Sequence, residues 1–309
     1  MERITMTSTD PKAVHREDVE FVVEGDVTLT AWLYLPEGDG PHPAITMAHG
    51  FAATREHSLA PFAELFVQHG FAVLVHDHRG FGLSGGTVRN DIDPWQQIRD
   101  WRRAITYLEQ RPEVDAERIG LWGSSYSGGH ALVLGATDRR LKCIVSQVPA
   151  ISGYDNGRRR VPPDAIPAQE ARFTDDERAQ ARGEAPRVIA VASADPAMPA
   201  MYRSASALGF YLQDAPKRLG WANEVTVRSN RAARMYEPGI WAPRVSPTPL
   251  RMIVATHDEI TGTDLALDAY ENARQPKSVV LIPGGHFDAY QPSFAAASAA
   301  AVEWFDANL

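Results

Sequence analysis

Apolar positions along the chain follow two spacings. Residues 18–35, DVEFVVEGDVTLTAWLYL, carry two runs of period two on either side of Gly25-Asp26, which predicts a β-hairpin. Beyond it, short apolar runs alternate with stretches of helical spacing. AITMAHG, after Pro43, predicts a buried strand, and LAPFAELFVQH a helix stopped at Gly70. FAVLVHDHRG predicts a strand with a polar end. DPWQQIRDWRRAITYLEQ follows as a helix, with Asp93 as N-cap and Pro94 in its first turn. RIGLWG, KCIVSQVPA, PLRMIVATHD and KSVVLIPGG predict further strands. SGGHALVLGAT, LALDAYENA and the tail SFAAASAAAVEWFDANL predict helices.

Strands that alternate with helices imply an α/β class, a mostly parallel sheet covered on both faces, with the antiparallel hairpin at one edge. Residues 152–245 break this rhythm. They are rich in Arg, Ala, Pro and aromatics and show no clear strand. A structureless loop that long is uncommon in a compact domain, so the segment predicts a mostly helical insertion. The expected organisation is a core domain of residues 1–151 and 246–309 and a cap of residues 152–245.

Composition changes the picture in three places. With 44% hydrophobic residues among 309, the chain can bury a core without disulfides or metal, and its one cysteine, Cys143, sits in an apolar run. The net charge of -8 argues against nucleic acid or an anionic membrane as partner. The stretch MERITMTSTDPKAVHRED has no apolar run or small-residue cleavage site, and no segment holds the ~18 apolar residues of a membrane span. A cytoplasmic location is expected. The run Arg158-Arg159-Arg160 reads as a solvated face, with anion binding as the minor alternative.

Candidate chemistry centres on GLWGSSYSGGH, residues 120–130, between a predicted strand and helix. A nucleophile elbow requires that context and small residues two positions either side of the nucleophile. Ser125 meets it with Gly123 and Ser127. Ser124 would be flanked by Trp122 and Tyr126, and Ser127 would put the turn inside the helix. Serine is a weak nucleophile until a base takes its proton. His286, after an apolar strand and two glycines, is the expected base, and Asp258, at a strand end, the group that orients it. His257 is a lesser candidate base, and Asp264 and Asp288 are alternatives for the acid, Asp264 being better read as a cap of LALDAYENA. His130 reads as a packed core histidine. The expected oxyanion donors are the N–H groups of Tyr126 and Phe51, with Ala52 as alternative for the second and His49 as a buttress of that loop. Gly80–Gly85 matches G-x-G-x-x-G but lacks the rest of a nucleotide site, and a structural turn tied by Asp77 and Arg79 fits better. No Cys/His group has zinc spacing.

HGF at 49–51, DHRGFGLSGG at 77–86, GSSYSGG at 123–129, THD at 256–258 and GGHFDAY at 284–290 resemble the α/β-hydrolase superfamily over nearly the whole chain. The chain is similar to serine esterases, to thioesterase-like hydrolases and polyketide acyl transferases, and less closely to X-prolyl dipeptidyl peptidases and cocaine-esterase-like enzymes. The resemblance implies a helical cap over the nucleophile, with Tyr202, Phe210, Tyr211, Trp221 and Trp241 as candidate pocket walls, and no cofactor. The expected activity is hydrolysis of a small-molecule carboxylic ester or thioester. Acyl transfer, X-prolyl peptidase activity and a non-catalytic binding role are the alternatives, and a homodimer is left open.

Overall fold

The computed structural model describes residues 15–309. The reading of the N-terminus for a leader falls largely on residues 1–14, outside the described residues.

In chain order the elements are β1 (His15–Val23), β2 (Val27–Leu35), β3 (His42–Ala48), α1 (Ala60–Gln68), β4 (Ala72–His76), α2 (Pro94–Glu109), β5 (Val114–Ser124), α3 (Tyr126–Thr137) and β6 (Leu141–Gln147). There follow α4 (Gly153–Arg160), α5 (Ile166–Ala181), β7 (Val188–Ala192), β8 (Ala200–Tyr202), α6 (Ala205–Tyr211), α7 (Asp214–Arg218), β9 (Val225–Thr226), α8 (Val227–Met235) and α9 (Ala242–Val245). The chain closes with β10 (Leu250–Ala255), α10 (Thr263–Asn272), β11 (Lys277–Ile282) and α11 (Phe294–Asn308).

Eight strands form one sheet in the order β1-β2-β4-β3-β5-β6-β10-β11. β2 runs antiparallel to β1 and β4, and every other pair is parallel. The hairpin turns where expected, with Gly25 and Asp26 both at positive φ. Its outer strand carries Arg16, Glu17, Asp18 and Glu20, charges that keep an open edge from pairing with another chain. The inner strands are apolar on both faces because helices cover both. Fully buried Trp101, Trp122, Phe62, Phe66 and Phe305 fill the layers between them. Asp93 caps α2 as predicted, accepting from the N–H groups of Trp95 (2.9 Å) and Gln96 (3.1 Å).

The segment between β6 and β10 corrects one expectation. It holds helices but also a three-stranded sheet, β8-β7-β9. VIAVA of β7 is a five-residue run without alternation in an Ala-rich stretch, so its periodicity resembled buried helix as much as strand. Ordering of the parallel strands places the loops after β3, β5, β10 and β11 at the carboxyl edge of the sheet, where open α/β sheets bind ligands.

Candidate active site

The turn from β5 into α3 is sharp. Ser125 has φ 59° and ψ -118°, a conformation that costs of order 1–3 kcal/mol in a non-glycine residue and persists only where its surroundings enforce it. They do so through three backbone bonds. The Ser125 N–H donates to the Gln147 carbonyl (2.9 Å), and its carbonyl accepts from Ala150 (2.9 Å) and Gly129 (3.3 Å). A Cβ at Gly123 would lie 2.1 Å from the Ser127 carbonyl oxygen, so the position two before Ser125 has no room for a side chain.

Three groups from three loops meet there. Ser125 Oγ lies 2.9 Å from His286 Nε2, and His286 Nδ1 lies 2.8 Å from Asp258 Oδ2. All three residues are buried. Asp258 Oδ1 accepts from the N–H groups of Ile260 and Thr261, both at 2.8 Å, while the Thr261 hydroxyl donates to Oδ2 at 2.8 Å. Burial pushes this carboxylate up, but the His286 charge and the hydrogen bonds from His286 and Thr261 outweigh it and hold its pKa at about 2. The alternatives lie elsewhere. Asp264 forms a bidentate pair with Arg159 (2.7 and 2.6 Å), and Asp288 accepts from the Gly285 N–H (2.7 Å). His257 bonds Thr256 and is exposed. Asp264 is not the cap of α10 either. Gly262 occupies that position, and Asp264 falls inside the first turn.

The loop after β3 runs against Ser125. A Cβ at Gly50 would stand 2.8 Å from Ser125 Cβ and 3.2 Å from its Oγ, so glycine alone allows the approach. Ala52 takes positive φ (52°). The carbonyls of Phe51 and Ala52 accept from Tyr211 Oη (2.8 Å) and Trp221 Nε1 (2.7 Å). The Phe51 N–H makes no hydrogen bond among the described residues. The Tyr126 N–H, in the first turn of α3, lies ahead of the helical ladder. His49 Nε2 accepts from the His78 N–H (3.1 Å), which fixes the proton on Nδ1, where it donates to the Gly50 carbonyl (2.9 Å).

Ser127, which stands where the elbow motif has its second glycine, binds this loop as well. Its hydroxyl donates to the His49 carbonyl and accepts from His78 Nε2 (3.0 Å). Ser127→Ala is expected to leave both partners unsatisfied in a buried site and to destabilise the fold by about 1–3 kcal/mol, read from denaturant unfolding. An unchanged midpoint would show that the bonds contribute nothing net. His130 is a satisfied core residue, bonded to Tyr236 Oη (2.8 Å) and Gln97 Oε1 (3.0 Å). Asp77 accepts from the Arg55 N–H (2.7 Å), and Arg79 pairs with Asp100, so residues 77–86 form a tied turn.

A cavity of about 360 Å³ opens beside Ser125, walled by Phe51 and Tyr126 on one side and by α4, α5, β8 and α8 on the other. Of the five aromatics expected as its walls, Tyr202 lines it and the other four do not. Phe210 packs on Phe287 (4.7 Å between ring centroids) and Tyr290 (4.9 Å). Tyr211 and Trp221 spend their polar atoms on the carbonyls of the loop after β3. Trp241 is half-buried under Arg244. A buried Tyr or Trp needs a partner for its O–H or N–H, and that need drew Tyr211 and Trp221 to the backbone rather than to the cavity.

The arginine run is also divided. Arg158 lies over Tyr154, Arg159 pairs with Asp264, and Arg160 lines the cavity with its guanidinium 5.1 Å from the Tyr202 ring. No group of three or more His, Cys, Asp or Glu among the described residues is arranged to hold a metal ion, and no described helix is long and apolar enough to cross a membrane.

Residues 24–288 match the family described as X-Pro dipeptidyl-peptidase (S15 family). This chain belongs to that family. The thiohydrolase aneE of Aspergillus aculeatus is 31% identical over 88% of this chain and 86% of its own. The polyketide transferase grgF of a Penicillium species is 29% identical over 88% and 90%. The crystal structure of the alpha/beta hydrolase GrgF from Penicillium sp. sh18 superposes with a TM-score of 0.81 at 26% identity, over 95% of this chain and 99% of that one. The S15-family chain is thus an α/β-hydrolase and a hydrolase-type enzyme.

One contributor to this S15-family site escaped the sequence reading. Thr261 holds Asp258 from three residues on, and D-x-x-T ahead of Gly262 is a legible Asx-turn signal. Arg160 belongs to the run read as a solvated face with anion binding as the minor alternative, and of the three arginines it alone lines the cavity.

Proposed function

We propose that the chain hydrolyses a small-molecule carboxylic ester or thioester through an acyl-enzyme on Ser125. The observation that carries this reading is the continuous Ser125–His286–Asp258 hydrogen-bonded line at a strained elbow. Ser125 Oγ attacks the acyl carbon and its proton passes to His286 Nε2. The carbonyl oxygen, now negative, is held by the N–H groups of Tyr126 and Phe51. Collapse expels the alcohol or thiol, which takes the proton from His286. Water then gives a proton to His286, attacks the acyl carbon and releases the acid, and the proton returns to Ser125. Asp258 keeps the proton of the histidine on Nδ1 and stabilises the imidazolium. Residues 152–245 act as a cap that selects the acyl group, a role supported by the cavity walls they supply.

The X-prolyl dipeptide reading fits less well. Such a substrate carries a cationic N-terminus, and the cavity lining holds Arg160, Arg203 and Arg234 against Glu259. Acyl transfer is the second reading, favoured by the relative named a polyketide transferase. A screen against acyl esters, acyl thioesters and an aminoacyl-prolyl amide tests the proposal, with products analysed with and without added alcohol. Turnover of esters or thioesters to free acid is expected. Product ester formed at the expense of acid would select the transferase. Cleavage of the amide alone would select the peptidase.

The loop after β3 supplies a further test. Trp221→Phe removes the donor to the Ala52 carbonyl and should loosen the Phe51 N–H. The expected result is a fall in kcat of about tenfold with KM little changed, since an oxyanion donor acts in the transition state. A rise in KM alone would place Trp221 among substrate contacts.

A further inference from the structure

The charge of the cavity opposes that of the chain. The protein carries a net charge of -8, yet the ionised residues lining the cavity are three arginines and Glu259. Arg234 is neutralised by Glu170 (3.2 Å). Arg203 gives its donors to backbone carbonyls, to Asp195 (2.7 Å) and Met198 (2.7 Å) among them, and so fastens the turn between β7 and β8. Arg160 is different. One nitrogen, Nη2, donates to the Ile260 carbonyl, and the flat guanidinium lies over Tyr202. No carboxylate among the described residues pairs with it, and its remaining donors make no hydrogen bond.

Its placement is set by two anchors. Arg159, one residue earlier, is held bidentately by Asp264, which pins the last turn of α4 against the start of α10. The Ile260 carbonyl belongs to the turn that presents Asp258. Between Arg160 and the nucleophile runs a file of aromatic rings. Tyr126, beside Ser125, meets Phe51 at 5.4 Å between centroids, Phe51 meets Tyr202 at 6.3 Å, and Tyr202 lies beneath Arg160. An apolar chain leaving the acyl carbon can follow these rings and end at an unpaired cation.

We infer that Arg160 anchors an anionic group on the substrate, separated from the scissile carbonyl by an apolar stretch that packs along Tyr126, Phe51 and Tyr202. The inference rests on the reading of Ser125 as the acyl acceptor. The anion has two possible carriers, a terminal carboxylate on the acyl chain or the phosphates of a coenzyme A leaving group. Both are met by the same forked N–H donors.

The test compares matched pairs of substrates. The first pair is the p-nitrophenyl ester of hexanoate and the mono-p-nitrophenyl ester of hexanedioate, which differ by a terminal carboxylate. The second is hexanoyl-coenzyme A and hexanoyl-N-acetylcysteamine. In one pair, Arg160→Gln should lower the ratio of kcat/KM, anionic over neutral, by about tenfold or more, as expected for loss of a charge-assisted hydrogen bond. The pair affected identifies the carrier. Arg158→Gln, whose side chain lies over Tyr154 outside the cavity, should leave the ratio as it is. The preference should also shrink in 0.5 M salt, because the guanidinium reaches solvent.

A binding measurement keeps the inference separate from the reading beneath it. Monoethyl hexanedioate and butyryl-coenzyme A are titrated calorimetrically into the Ser125→Ala protein with and without Arg160→Gln. A Kd for one of them at least about tenfold weaker without the arginine supports the anchor even if no ester is ever turned over. Unchanged ratios together with unchanged Kd values would overturn it.

Discussion

Ser125→Ala is expected to lower kcat on any turned-over ester at least ~10³-fold while the unfolding midpoint stays within about a degree of the parent. The alanine keeps the backbone of the elbow and its three enforcing bonds, so only the nucleophile is lost. Asp258→Asn should cost about 10³–10⁴-fold by a different route. At position 258, one carboxylate oxygen accepts from the N–H groups of Ile260 and Thr261. The oxygen of an asparagine amide will occupy that place, because an NH₂ there would face two donors. Its NH₂ then points at His286 Nδ1 and forces the proton to Nε2, the nitrogen that must accept from Ser125. Full activity in Asp258→Asn would remove Asp258 from the mechanism. A Ser125→Ala protein as active as the parent would remove the whole reading.

Acid should unfold this protein abruptly, because histidines are buried under the elbow. His49, His57, His76, His78 and His130 are all buried, and burial is the first cause that pushes each of them down, His49 to about 4 and His57, His76 and His130 to about 3. Four of these rings form a contact chain, His49–His78 at 4.6 Å, His76–His78 at 5.1 Å and His78–His130 at 5.8 Å, so a charge on one opposes a charge on the next. Below pH 6.5 the unfolded chain takes up protons at these positions and the folded chain does not. This stabilising contribution is therefore complete well above 6.5 and is lost as pH drops through 6.5 toward the depressed folded values, about 4 for His49 and about 3 for His57, His76 and His130. Asp77 works in the opposite sense. Burial raises its folded pKa to about 6 against the pull of Arg55, so the folded state gains one proton between about 6 and the unfolded value of 3.8. The net difference grows from less than one proton at pH 7.5 to about four near pH 5, where the slope reaches about 5 kcal/mol per pH unit. A domain with a usual stability of about 5–15 kcal/mol does not survive two such units. Urea unfolding at steps from pH 7.5 to 5 should show the slope steepening toward this value. His76→Phe, in a site already walled by Phe21 and Trp101, should reduce it by about one proton. A stability flat between pH 7 and 5 would mean that the unfolded chain keeps these histidines equally dry.

Much of the site was legible before folding because its chemistry is local. Gly123, Ser125 and Ser127 announce an elbow through size alone, since the turn brings the flanking residues within contact of each other. Asp258 and His286 could be picked out because each follows an apolar strand, in the chain order that this arrangement uses. The insertion was legible only as a break in periodicity. Its short strand β7 has neither the length nor the alternation that separates strand from helix, and its pairing with β8 and β9 comes from across the segment. The aromatic residues were misjudged for a related reason. Nothing in FYLQDAPKRLGW tells whether a ring faces a cavity or a backbone carbonyl.

By itself the sequence determined the α/β class, the edge hairpin, the elbow and the three residues, Ser125, His286 and Asp258, that meet in one hydrogen-bonded line. These depend on spacing and residue size within a few positions, and a chain meets such constraints wherever it is placed. Tertiary structure decided which carbonyls Tyr211 and Trp221 hold, which serine hydroxyl joins two loops, which of three successive arginines reaches the cavity, and how many histidines are kept from water. Those outcomes depend on groups 49 to 169 residues apart in the chain being brought within hydrogen-bonding distance, and only the packed sheet, with its insertion folded over the carboxyl edge, does that.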